Sequence, residues 1–329
     1  MKCVVTGAAG FIGSHLCEAL LRRGHEVIGL DAFIPYYAQW VKERNLAESR
    51  CHPHFLFHRL DLRHDPLDGA LTGADVVFHL AAMPGLLKSW TDFDLYLACN
   101  VQATQKLLES VRRCAPSLRR LLYASTSSVY GRFASGDESL PTKPVSPYGI
   151  TKLAGEQLCR TYAEVHGLPV VMLRYFSVYG PRQRPDMGYH VFINALLRDE
   201  PITINGDGQQ VRGNTYVGDC VAATLAAVEA RPGEIYNVGG GEAATVWDIL
   251  HKLETLAGRR ARVKQAATRP GDQRYTFADT TKLHNHLGWQ PRTCLDEGLA
   301  NQWQWQRQEL SELLLPTVDP STEMHPCPC

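Results

Sequence analysis

Cys3-Val4-Val5 is a short apolar strand that runs straight into Gly7-Ala8-Ala9-Gly10-Phe11-Ile12-Gly13, and an amphipathic helix follows through Arg23. A strand, a glycine loop and a helix in immediate succession leave few folds open. The glycines let the backbone turn tightly and approach a pyrophosphate, while the first amides of the helix point at its negative charge. Further apolar strands recur at Glu26–Leu30, Phe55–Leu60, Asp75–Ala82, Leu121–Ala124 and Val170–Arg174, with Val170–Arg174 read as the last clear one. Helical stretches separate them, the pattern of a parallel sheet covered on both faces.

The second strand delivers Asp31 at its end, eighteen residues after Gly13. A carboxylate there accepts hydrogen bonds from ribose hydroxyls and repels a 2′-phosphate, so the spacing predicts NAD rather than NADP. Leu80-Ala81-Ala82 ends the fourth strand in small residues, which lets a flat cofactor lie against the backbone. Ser125-Thr126-Ser127-Ser128 closes the fifth strand with a row of hydroxyls, at the edge where such sheets bind ligands.

Ser146 is placed to cap a helix and Pro147 to begin it, so Tyr148 and Lys152 share a face in its opening turns. A Tyr-x-x-x-Lys pair alone is ordinary helical spacing. Next to a phosphate-cradling loop it predicts a phenolate base: an ammonium about 4 Å away at an effective dielectric of about 20 is worth roughly 4 kcal/mol. The positive end of the helix dipole acts in the same direction.

With the loop spaced Gly-x-x-Gly-x-x-Gly, the hydroxyl-rich strand end and Tyr148/Lys152, the chain resembles the extended short-chain dehydrogenase/reductases. Within them it resembles the nucleotide-sugar epimerases and dehydratases, up to about residue 310. The segment Tyr175-Phe176-Ser177-Val178-Tyr179-Gly180-Pro181-Arg182-Gln183-Arg184 is similar to that of UDP-glucuronate 4-epimerases. The resemblance implies a Rossmann-type doubly wound α/β parallel sheet with a smaller mixed α/β carboxyl-terminal domain. It divides the chain into 1–175 for NAD, 176–315 for the nucleotide sugar, interleaved with the first, and a loose tail, 316–329.

The resemblance also assigns roles. Asp61 and Leu62 flank the adenine, Asn100 is a buried polar support counted with the cofactor residues, and Tyr175 with Phe176 walls the nicotinamide. Thr126 shares the hydrogen bond of the reacting sugar oxygen with Tyr148, and Lys152 orients the ribose. Lys88, Ser127, Ser128 and Ser177 face the substrate, and Arg212 and Arg269 grip the diphosphate. Arg184 is the distinctive feature, because a planar guanidinium suits a sugar carboxylate. Dehydrating relatives carry Asp-Glu where this chain has Ser127-Ser128, and neither hydroxyl works as an acid or base near neutrality, so elimination is disfavoured. Gly213-Asn214 replaces the acidic and aromatic pair that usually follows the first diphosphate arginine.

The implied activity is 4-epimerisation of a UDP-sugar, UDP-glucuronate to UDP-galacturonate, through a 4-keto intermediate with NAD. The alternatives are a UDP-glucose or UDP-N-acetylglucosamine 4-epimerase, a UDP-glucuronate decarboxylase, and an NAD-sensing binding protein. The family also implies a homodimer through the helices after Asp92 and Ser146. Composition excludes other classes: 34 basic residues balance 34 acidic ones, which gives nucleic acid no global attraction. The first strand starts within two residues of Met1 and no apolar run reaches membrane length, which predicts a cytoplasmic chain without a membrane span. The ten cysteines show no disulfide framework or metal spacing before Cys327 and Cys329, and no metal is expected. Asp219 is expected to cap a helix running through Ala230, and Asp296–Leu315 to form the final helix.

Overall fold

The structure is a computed structural model that describes residues 1–268 and 271–314. Arg269 and the tail 316–329 lie outside the described residues. Seven parallel strands form the central sheet: β1 (Lys2–Thr6), β2 (Glu26–Asp31), β3 (Phe55–Arg59), β4 (Val76–His79), β5 (Arg120–Thr126), β6 (Val170–Tyr175) and β7 (Ile235–Val238). Their order across the sheet is β7-β6-β5-β4-β1-β2-β3. The order reverses at β1, so the carboxyl ends of β1 and β4 open a crevice where such sheets bind ligands.

β6 is not the last strand of the sheet. β7 pairs with it from Ile235↔Met172 to Val238↔Tyr175, about sixty residues further along the chain. Its Ile-Tyr-Asn-Val stretch is only four residues long and leads into three glycines, so its pattern reads as a strand leaving for a loop. Pairing with a fully buried neighbour places it in the sheet.

Two apolar layers cover the sheet. Helices Phe11–Arg22 and Val217–Ala226 pack on one face, with Leu16, Leu20, Cys220 and Val221 buried. Helices Ala103–Cys114 and Pro147–His166 pack on the other, with Leu107, Val111, Cys159 and Tyr162 buried. A third cluster lies in the carboxyl-terminal part, where Ile193 and Leu196 of helix Gly188–Arg198 meet Ile249 and Leu253 of Val246–Ala257 and Leu299 of Leu295–Leu314.

The helical stretch after Asp92 is three joined segments: α-helix Phe93–Leu97, a π-helical stretch Ala98–Gln102, and α-helix Ala103–Cys114. One such insertion rotates the residues before it relative to those after, a device common beside functional sites. Asp219 is not a cap. Helix Val217–Ala226 starts at Tyr216, and the Asp219 carboxylate accepts from the Thr293 amide at 3.0 Å, tying the helix to the segment before the last helix.

Candidate active site

Local chemistry builds the glycine loop. Gly7 has φ +71°, and a Cβ there would lie 2.8 Å from the Ala81 amide nitrogen. A Cβ on Gly13 would lie 2.1 Å from the Gly7 carbonyl oxygen, so the helix can sit this close to the loop only without a side chain. Gly10 precedes the helix with no side-chain cap, which leaves the first amides free to meet an anion.

One cleft gathers most of the predicted cofactor residues. Gly7, Gly10, Phe11, Ile12 and Gly13 line it, as do Asp31, Asp61, Leu62, Leu80, Ala81, Ala82, Tyr148, Lys152 and Tyr175, and Arg184 closes one side. The loop would hold a pyrophosphate and the two carboxylates the adenosine, so the residues present fit a dinucleotide.

Asn100 does not line the cleft. It is 1% exposed, accepts from the Met83 amide at 2.7 Å, and donates to the Met83 carbonyl and the Thr151 hydroxyl at 3.1 Å each. It therefore fixes the cleft wall at Met83 from behind. Phe176 likewise faces away, buried with Val129, Tyr130 and Ala278, and only Tyr175 reaches the cleft, its hydroxyl held by Thr224 at 2.8 Å.

The helix that carries Tyr148 and Lys152 begins as its residues dictate. The Ser146 hydroxyl accepts from the Gly149 amide at 3.1 Å, Pro147 opens the helix, and Gly167 ends it with φ 66°. Tyr148 faces the cleft and is packed edge-on against Tyr96, with ring centroids 6.3 Å apart. The nearby Thr126 hydroxyl accepts from the Ser128 amide at 3.2 Å and acts to lower the Tyr148 pKa.

The expected electrostatics of this pair need correction. The Lys152 ammonium lies over the Tyr123 ring at 4.2 Å, and among the described residues no oxygen accepts a hydrogen bond from it. Burial lowers its pKa to about 8, against the pull of Cys159 and Glu156 toward the charged form. Burial raises the Tyr148 phenol above its ordinary value, and the groups that favour phenolate are the Thr126 hydroxyl and the Arg184 charge. Helical i,i+4 spacing by itself would leave the ammonium beside the phenol. A flexible four-carbon stem instead turns it onto an aromatic face.

Behind the helix, Glu156 is fully buried and pairs with Arg174 of β6, whose Nε donates at 3.1 Å. The same carboxylate accepts from Ser125 at 2.8 Å, and Arg174 also donates to the Tyr130 hydroxyl at 2.7 Å. This network fastens the helix to the strand end that carries Thr126.

The other predicted substrate residues lie outside the cofactor cleft. Ser127 and Ser128 are buried, Ser127 donating to Gln273 at 3.5 Å, and the half-buried Ser177 accepts through its carbonyl from the Thr215 amide at 3.1 Å. Exposed Lys88 stacks over Tyr36 at 4.5 Å. Arg212 pairs with Asp272 at 3.1 Å, and Asp272 lines a second depression with Gly271, Gln273 and Arg274. Asn214, one of the departures from the family pattern, is buried and receives the Tyr189 hydroxyl while donating to the Arg212 and Glu242 carbonyls at 3.0 Å. It thus repacks the position locally.

Several residues went unread in the sequence. Tyr36, Tyr37, Lys42, Arg63 and Cys99 line the cleft. Asp186 holds Arg184 by Nε at 2.9 Å and Nη2 at 3.0 Å, and receives the Tyr36 hydroxyl at 3.3 Å. Gln273 holds the hydroxyl-rich strand end through the Ser127 and Gly131 carbonyls at 3.3 and 2.8 Å. Asp186 follows Arg184 at i+2 and carried a signal as a bidentate partner; Gln273 carried none. Among the described residues no group of His, Cys, Asp and Glu is placed to hold a metal ion, and no helix is long and apolar enough to cross a membrane.

A loop shaped for a pyrophosphate and a tyrosine facing the same crevice are the parts of a dinucleotide-dependent enzyme that acts on an alcohol. Residues 3–239 match the NAD dependent epimerase/dehydratase family, and the chain belongs to that family. It is 45% identical over 308 residues to a Bacillus subtilis (strain 168) protein described as uncharacterized UDP-glucose epimerase YtcB, covering 92% of this chain and 96% of that one. It is 34% identical over 313 residues to a UDP-glucuronate 4-epimerase of Thermodesulfobacterium geofontis (strain OPF15), covering 93% and 96%. Among solved structures, the Bacillus cereus UDP-glucuronic acid 4-epimerase in complex with UDP-glucuronic acid and NAD superposes with a TM-score of 0.91 at 43% identity, covering 94% of this chain and all of that one.

Proposed function

We propose that this chain is an NAD-dependent 4-epimerase that converts UDP-glucuronate to UDP-galacturonate through a transient 4-keto sugar. The observation that carries the reading is Arg184. Its guanidinium stands in the wall of the crevice that holds Tyr148, with the Nε and Nη2 edge on Asp186, and among the described residues Nη1 has no acceptor. That free edge is the donor set a sugar carboxylate takes. The similarity to two UDP-glucuronate 4-epimerases supports the same substrate.

NAD, when bound, supplies the acceptor and later the donor of the hydride at C4. Gly7, Gly10 and Gly13 would hold its pyrophosphate, Asp31, Asp61 and Leu62 its adenosine, and Leu80–Ala82 with Tyr175 the ring that reacts. Tyr148 takes the proton of the sugar 4-hydroxyl and returns it after the keto sugar has turned over, with Thr126 sharing the hydrogen bond. Lys152 holds the ribose hydroxyls and adds positive charge beside the phenol when it leaves Tyr123. Arg212, paired with Asp272, meets the diphosphate. Residues 1–175 act mainly on the cofactor and 176–315 on the sugar nucleotide, with β7 returning to the first part. Ser127-Ser128 supplies no carboxylate, so neither dehydration nor decarboxylation is supported.

Incubation with UDP-glucuronate without added NAD, followed by proton NMR, tests this: UDP-galacturonate is expected, and Tyr148→Phe should lose roughly 10²–10⁴-fold in rate while retaining NAD. A protein inert toward UDP-glucuronate removes the reading. UDP-glucose is the second reading, favoured by the description of the Bacillus subtilis relative. Arg184→Ala separates the two, because only the charged sugar should suffer. The proposal extends to a cytoplasmic homodimer. Exposed Phe93, Leu97, Ile150 and Val165 on the two helices named for self-association support the dimer, which sedimentation velocity would test.

A further inference from the structure

The carboxylate expected to choose between cofactors is not a free charge. Asp31 is 9% exposed, and its Oδ1 accepts from the Phe33 amide at 2.8 Å while Oδ2 accepts from the Ala9 amide at 3.2 Å. Lys42 Nζ stands 3.4 Å from Oδ1 and also donates to the Ile34 carbonyl at 3.3 Å. Lys42 is itself buried, at 8% exposed, and lines the cofactor cleft beside Tyr37, whose ring lies 5.4 Å from the ammonium. Its position follows from the short helix Gln39–Asn45, which turns back over the end of β2, and Asn45 anchors that helix by donating to the Ala9 carbonyl at 3.0 Å.

A buried carboxylate paired with a buried ammonium has a local charge near zero, so rejection of a 2′-phosphate by Asp31 alone is largely cancelled at short range. We propose that Lys42 is a specificity-determining residue of the cofactor site: it neutralises Asp31 and sets how strongly the adenosine subsite discriminates between NAD and NADP. The 2′-phosphate of NADP carries up to two more negative charges than the hydroxyl of NAD, so loss of the lysine falls more heavily on NADP. Tyr37 and Ile34 close the other sides of the subsite, leaving crowding rather than repulsion as the main obstacle to the phosphate in the intact protein.

The inference rests on the cleft taking a dinucleotide and not on which sugar is turned over, so it is tested by binding. NAD and NADP are titrated calorimetrically into the full chain freed of copurified nucleotide, as wild type and as Lys42→Gln, Lys42→Arg and Asp31→Asn. Lys42→Gln is expected to raise the NADP-to-NAD ratio of dissociation constants at least tenfold. Lys42→Arg keeps the charge and should leave the ratio within about threefold of wild type, so a fold defect in the glutamine variant cannot mimic the result. Asp31→Asn, which leaves the lysine unpaired, should shift the ratio toward NADP. If Lys42→Gln weakens both nucleotides equally, the lysine only buttresses Asp31 and the proposal is overturned. An unmoved ratio in Asp31→Asn overturns it as well. If no variant binds either nucleotide, the dinucleotide reading falls and this one with it, whereas nucleotide binding without turnover of UDP-glucuronate removes only the proposed substrate.

Discussion

Replacing Arg174 with Met isolates the buried ion pair behind the helix that carries Tyr148. Glu156 has no exposed surface and the Arg174 side chain only 4%. The substitution deletes both guanidinium donors to the carboxylate, along with the bonds to the Tyr130 hydroxyl at 2.7 Å and the Glu138 carbonyl at 3.3 Å. Glu156 then keeps one donor, the Ser125 hydroxyl at 2.8 Å. Hydrogen bonds to charged groups are worth about 1.5–3 kcal/mol each, and breaking a buried pair from one side costs about 3–5 kcal/mol. Only part of the bond energy is lost on net, so the lower range applies. Urea unfolding should show a fall of that size, and the thermal midpoint should drop on the order of 10 °C at about 2–4 °C per kcal/mol. The double variant Glu156→Leu with Arg174→Met removes both charges and should recover at least half of the loss, because the penalty arises from the orphaned carboxylate. A single variant costing under about 1 kcal/mol, or a double variant no better than the single, would refute the claim that this pair is tightly coupled in a dry environment.

Three further outcomes follow from the same geometry. Gly13→Ala puts a methyl 2.1 Å from the Gly7 carbonyl oxygen, so helix and loop must part by about 1 Å; overpacking of this kind costs about 1–3 kcal/mol, and NAD affinity measured by calorimetry should fall with it, whereas unchanged midpoint and affinity would contradict the close approach. Asn100→Leu strips the partners from both main-chain groups of Met83, at about 1–3 kcal/mol per buried group, which chemical denaturation would record together with weaker NAD binding. His79, between the Thr6 and Thr104 hydroxyls, has its pKa lowered by burial from 6.5 to about 3, and His15 from 6.5 to about 4. The unfolded chain therefore binds more protons below pH 6.5, so stability is full above that pH and falls by roughly 1.4 kcal/mol per pH unit for each histidine as the medium is acidified toward pH 4. Unfolding curves at pH 7.5 and 5.0 for the wild type and His79→Gln check it: a variant as acid-sensitive as the parent would exclude His79 as a source.

Much of the site was legible along the chain because short-range sterics and capping act between neighbours. The glycine loop, Ser146 and Pro147 at the helix start, Asp31 at a strand end and the Tyr148–Lys152 spacing each depend on residues within one turn or one strand, and each stands where its pattern predicts. Arg184 was legible as a guanidinium suited to a carboxylate, but its place in the cleft wall and the Asp186 and Tyr36 contacts around it come from a fold that brings residues 150 positions apart together. The π-helical step at Asn100 has no strong local signal, and it converts an expected cofactor contact into a support beneath Met83.

The sequence by itself determined the alternating strands and helices, the glycine turn, and the helix start that carries a tyrosine four residues before a lysine, since these follow from backbone sterics and side-chain spacing over a few residues. Only the tertiary structure decided that Ile235–Val238 completes the sheet, that the Lys152 ammonium rests on Tyr123 rather than beside Tyr148, and that Lys42 neutralises Asp31. Those outcomes depend on burial and on which distant segment fills the space next to a charge. Neither quantity exists until the chain has packed.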